Sequence, residues 1–87
     1  MGMTFSAALE AVKEGRRIAR SGWNGAGQYI WYVPPGEYPA RMEAIKGVFP
    51  DDLVPYAGYL ALKNAQNEVV PWTPSQGDLF ATDWVIV

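Results

Sequence analysis

The sequence predicts one α+β domain spanning residues 1–87: a small, mainly antiparallel sheet with an N-terminal helix and a short C-terminal helix, assembled as a homo-oligomer. Three features carry the prediction: a helical apolar stripe near the start, short runs of strand character beyond it, and a helix-cap signature late in the chain. The oligomer enters because a chain of 87 residues buries only a modest share of its surface by itself.

Thr4 caps a helix over residues 5–14, in which Phe5, Ala8, Leu9 and Val12 share a face and Gly15 supplies the stop. A short strand over 17–20 runs into the turn Ser21-Gly22-Trp23-Asn24-Gly25. Residues 28–33, QYIWYV, form a strand with aromatics on both faces, so its second face needs cover from this chain or from another subunit. Pro34-Pro35-Gly36 stops that strand. Residues 34–58 then read as a long connection punctuated by proline and glycine, a feature more often functional than filler. Residues 59–63 and 68–72 make a hairpin about Asn64-Ala65-Gln66-Asn67. Thr73-Pro74-Ser75-Gln76 has the capping-box form, and Ser75 with Asp78 offers a second frame. Both predict a short helix over 75–80, before a final strand at 84–87.

Composition removes several classes of function. The chain has no cysteine and no histidine, which excludes disulfides, the usual zinc sites and any imidazole or thiolate chemistry. No metal and no cofactor are expected. A net charge of −2 argues against sequence-independent binding to DNA or RNA, which depends on a basic surface. No apolar run approaches the roughly 18 residues of a membrane span, and no signal peptide is visible. The start, Met1-Gly2-Met3-Thr4-Phe5-Ser6, matches the short myristoylation pattern, but no polybasic segment follows. Met1 and Gly2 read more simply as an addition ahead of a start at Met3.

Trp23 sits in a glycine-flanked turn, either as a wall of a ligand or subunit contact or folded back on the core. Asn24 beside it offers an amide. Trp72 precedes a helix start, where free N–H groups favour an anion; alternatively it plugs the sheet edge while Thr73 and Gln76 satisfy those groups. Arg16, Arg17 and Arg20 are three of seven basic residues, gathered before the Trp23 turn, with Arg17 on the opposite face from the other two. A solvated strand edge is the plainer account of them. Asp78 and Asp83 have the types needed for acid–base chemistry, yet a helix cap and a turn also account for them. Together these are the parts of a nucleotide pocket: indoles to stack a base, Arg and N–H groups for phosphate, Asn, Gln or Asp for ribose.

Lys13-Glu14-Gly15, Arg17-Ile18-Ala19-Arg20 and Gly22-Trp23-Asn24-Gly25, followed late by Val70-Pro71-Trp72, Ser75-Gln76, Asp78 and Asp83-Trp84, resemble the second Thoeris anti-defence family of phage proteins. The resemblance spans essentially the whole chain and is most specific near its two ends. It implies a sponge: a homo-oligomer, typically a tetramer, that sequesters glycocyclic ADP-ribose signals of bacterial TIR-domain proteins without cleaving them, in the cytoplasm of the infected host. Some members also hold cyclic oligonucleotides at separate sites, and pockets lie between protomers. On this reading the ligand-binding residues are Arg20, Trp23, Asn24, Trp72, Ser75, Gln76, Asp78 and Asp83, none of them catalytic, and the membrane plays no part. Two other classes stand beside it. One is a nucleotide-cleaving enzyme in which Asp78 or Asp83 activates water. The other is a structural module whose tryptophans, Trp23, Trp31, Trp72 and Trp84, serve core and interfaces alone.

Overall fold

The computed structural model describes residues 2–87; Met1, where the myristoylation reading begins, lies outside them. A helix, α1 (Phe5–Lys13), is capped by the Thr4 hydroxyl, which accepts the Ala7 N–H. It ends where Gly15 takes φ +98°, a left-handed conformation that lets Arg16 N–H reach back to the Ala11 carbonyl.

Seven strands follow: β1 (Ile18–Arg20), β2 (Tyr29–Val33), β3 (Gly36–Pro39), β4 (Leu53–Tyr56), β5 (Tyr59–Lys63), β6 (Val69–Pro71) and β7 (Trp84–Ile86). A second helix, α2 (Gln76–Phe80), separates β6 from β7. Five strands form the main sheet in the order β6-β5-β2-β1-β7, and every pairing described is antiparallel. The predicted α+β class and both helices are present, with boundaries moved by a residue or so.

Alternation along the strands divides the sheet into two faces. Ile18, Ile30 and Trp84 point towards α1 and are fully buried with Ala8 and Val12, making the core. Tyr29, Trp31 and Val33 therefore take the opposite face of β2, where Trp31 lies 5.8 Å from the Tyr29 ring. Arg17 caps that ring at 4.7 Å, on the side of the sheet away from Arg20. β2 is central, one of the two arrangements its aromatic content allowed, but among the described residues no helix covers this second face.

The stretch 34–58 departs from expectation. It is not a plain connection: β3 and β4 pair with each other, from Gly36↔Tyr56 to Pro39↔Leu53, as a separate two-stranded ribbon. Proline is tolerated at Pro39 and Pro55 because both strands are edges, so a missing N–H faces no further neighbour. This arm accounts for an elongated molecule of 49 × 26 × 22 Å.

Candidate functional site

A small concavity of about 180 Å³ lies at the end of the sheet where β1 stops and β2 starts, lined by Trp23, Gln28, Leu62, Trp72 and Asp78. Three predicted residues, Trp23, Trp72 and Asp78, thus line one pocket although they come from opposite ends of the chain. Their meeting point is Trp84. Trp23 and Trp72 both stand edge-on to the buried Trp84 ring, at 5.5 and 5.9 Å, and Phe5 of α1 packs on it at 5.4 Å. The Trp84 indole N–H donates to the Asp78 carbonyl at 2.9 Å, which fixes the ring that the other two lean on. Trp23 is half-buried, so it both folds back on the core and lines the pocket.

Arg20 ends β1 on the core-facing side of the sheet. Its Nε donates to Asp83 Oδ1 at 2.8 Å and its Nη1 to Asp78 Oδ1 at 3.0 Å. Each carboxylate also accepts a backbone N–H through its other oxygen: Asp83 Oδ2 from Gly22 at 2.9 Å, Asp78 Oδ2 from Ser75 at 2.9 Å. Gly22 is required by closeness, since a Cβ there would stand 2.8 Å from Asp83 Oδ2. The hydrogen bond to Arg20 holds the Asp83 carboxyl below its ordinary value. Burial pushes Asp78 up, but the Ser75 N–H and Arg20 together outweigh it and leave that carboxyl lowered. Arg20 is itself raised, chiefly by Asp83. Carboxylates held ionised in this way are weak bases at neutral pH, which counts against their use to activate water.

The second capping frame, not Thr73 with Gln76, is the one realised. Ser75 is the N-cap of α2, its hydroxyl accepting the Asp78 N–H at 3.1 Å while Asp78 returns to the Ser75 N–H. The N–H groups at this helix start are thereby partly taken up by the chain itself. Ser75 and Gln76 are exposed beside the pocket without lining it, and Asn24 is exposed on the turn next to Trp23. Two lining residues escaped the sequence reading, Gln28 and Leu62. Gln28 donates to the Gly25 carbonyl at 3.3 Å, three residues back; a polar side chain opening an otherwise apolar strand beside a glycine turn was its signal.

A second, larger cleft of about 350 Å³ lies on the arm, between Tyr38, Arg41, Met42, Tyr56 and Tyr59. Size alone would favour it, but none of the predicted ligand residues lines it. The smaller pocket is where the sequence signals converge.

Residues 3–87 match the model of the Thoeris anti-defense 2-like domain. The chain belongs to the Thoeris anti-defense 2-like family. It is also 33% identical over 85 residues to "Thoeris anti-defense 2" of Bacillus phage SP01, covering 98% of this chain and 94% of that protein. Within the Thoeris anti-defense 2-like match lie both ends of the chain that build the pocket, the Trp23 turn and the Trp72–Trp84 segment.

Proposed function

We propose that the protein sequesters a nucleotide-derived immune signal of the glycocyclic ADP-ribose class, releasing it unchanged on unfolding, in the cytoplasm of the infected host. The observation that carries this reading is the pocket between Trp23 and Trp72. Two indole surfaces suit a base, and Gln28 and Asp78 suit ribose hydroxyls, while no unengaged nucleophile and base stand there. Family membership supplies the anti-defence setting.

The pocket is shallow, and a nanomolar sponge needs about −12 kcal/mol, of which stacking gives roughly 1 to 3 kcal/mol per base. The remainder comes from a second copy closing over the ligand. Supporting this, the monomer exposes 6019 Å², against about 5,100 Å² for a compact chain of this mass. The surplus is close to the roughly 800 Å² each partner contributes to a standard interface. Leu79 and Phe80 of α2 and Val69 and Val70 of β6, exposed on the elements that flank the pocket, are available to the copy that closes it, while the Tyr29/Trp31 face and the arm are available for a second contact in a tetramer.

The test is retention. Purified protein is mixed with glycocyclic ADP-ribose, freed of unbound ligand by filtration, and heat-denatured, and the released material is analysed. Intact ligand in fixed ratio to protomer supports the sponge. Cleaved fragments would make the protein an enzyme acting through Asp78 or Asp83, and ligand left in the filtrate would redirect the search to cyclic oligonucleotides or a protein partner. Trp23→Ala is expected to abolish retention while the oligomer persists; dissociation instead would make Trp23 a packing residue.

A further inference from the structure

We infer that Arg20, Asp78 and Asp83 form a clasp that sets Trp23 against Trp84 and Trp72, so that Arg20 is a positioning residue of the pocket and not a contact to phosphate. The inference rests on the reading of this pocket as the signal site.

The geometry is specific to a forked cation. One guanidinium meets two carboxylates through two different nitrogens, at 2.8 and 3.0 Å, and lysine, with a single ammonium, has no such fork. Each carboxylate then holds a different wall. Asp83 grips the Gly22 N–H, one residue before Trp23, while Asp78 grips the start of α2 and faces the pocket itself. Trp23 N–H closes the circuit by donating to the Arg20 carbonyl at 3.2 Å. The two carboxylates lie 63 and 58 residues from Arg20 in sequence, so this cluster ties the Trp23 turn to the late α2–β7 segment across the fold.

Charge reaches the same end. One cation between two carboxylates leaves the cluster with a net negative charge, and a phosphate beside Asp78 would be repelled. The cations that remain for a phosphate are elsewhere: Arg17 and Lys63 flank Tyr29 at 4.7 and 5.4 Å, Arg41 stands in the arm cleft, and Arg16 is exposed ahead of β1. What the clasp leaves on offer in the pocket is two indole surfaces, an amide and carboxylate lone pairs, the complement of a nucleoside.

Arg20→Lys and Arg20→Met separate position from charge. In the ligand-free protein, the indole N–H resonance of Trp23 is followed by NMR, assigned with Trp23→Phe. Binding of glycocyclic ADP-ribose is titrated at several salt concentrations. Both variants are expected to displace the Trp23 resonance and to bind more weakly with the wild-type salt slope retained, Arg20→Lys by about tenfold for the loss of one charge-assisted hydrogen bond and Arg20→Met by more for the loss of both. Wild-type affinity in Arg20→Lys, with weak binding and a flatter slope in Arg20→Met, would make Arg20 a phosphate contact and overturn the inference. So would an unmoved Trp23 resonance, even if melting temperature fell. If the wild-type protein binds no glycocyclic ADP-ribose, the pocket reading fails, and the ligand-free resonance alone decides the clasp. Should the Arg20 variants not fold, Asp83→Asn, nearly isosteric but with one acceptor oxygen for two donors, gives the same readout.

Discussion

The helix-backed sheet and the β3–β4 arm differ in what stands on their second side. In the sheet, Ile18, Ile30 and Trp84 meet Ala8 and Val12 of α1, and all five are fully buried. In the arm, Val54 is the one buried apolar residue, while Tyr38, Met42, Val48 and Tyr56 are all more than 45% exposed. An isolated two-stranded hairpin is at best marginally stable in water. Its tip adds strain, with Asp51 and Asp52 both at positive φ, 57° and 54°. The Cα radius of gyration, 15.7 Å against about 12 Å for a compact chain of this length, measures the same imbalance. The sheet has a buried backing of its own, and the arm has none among the described residues.

The largest test of that contrast is Trp84→Ala. It removes a fully buried ring on which Phe5, Trp23 and Trp72 lean, so chemical denaturation should record a loss of about 3 to 5 kcal/mol. Replacing residues 36–56 by a short glycine-rich turn should leave the sheet folded by circular dichroism. Self-association measured by light scattering should weaken by more than about tenfold, at least 1.4 kcal/mol; a loss of folding instead would mean that the arm supports its own sheet. Acid gives a subtler contrast. Asp78 and Asp83 are lowered in the folded protein, so their contribution is complete above the ordinary Asp value of about 3.9 and fades as pH falls through their depressed values. Stability measured from about pH 5 downward should therefore fall more steeply for wild type than for Asp83→Asn, while the arm contributes nothing to the difference. Smallest of all, Phe80→Ser on α2 should change monomer stability by less than about 0.5 kcal/mol, because that ring is 80% exposed.

Most of the sheet was legible because its signals are local. Thr4 and Gly15 bracket α1, and QYIWYV announces a strand whose two aromatic faces both need cover. The arm was hidden by its prolines: Pro39 and Pro55 break the pattern by which strands are recognised, and the free edges of a two-stranded ribbon accommodate them. The cap of α2 was ambiguous between Thr73 and Ser75, since both sequences fit. Asp78 decided it, because its carboxylate is drawn towards Arg20 as well as towards the Ser75 N–H. The pocket was half legible. Trp23, Trp72 and Asp78 stood out by type and turn context, but nothing local records that Arg20 lies beside Asp78 and Asp83. That contact exists only once β7 has paired with β1, in the register Arg20↔Trp84.

The edge-on stacking of Trp23 and Trp72 about Trp84 has an optical consequence. Indoles at centroid separations of 5.5 and 5.9 Å couple through their intense short-wavelength transitions, so the trio should give an exciton couplet in the far-ultraviolet circular dichroism. Trp31, on the opposite face beside Tyr29, stands outside that trio. A base stacking on Trp23 would change the couplet, which gives the protein a built-in optical reporter of its own occupancy.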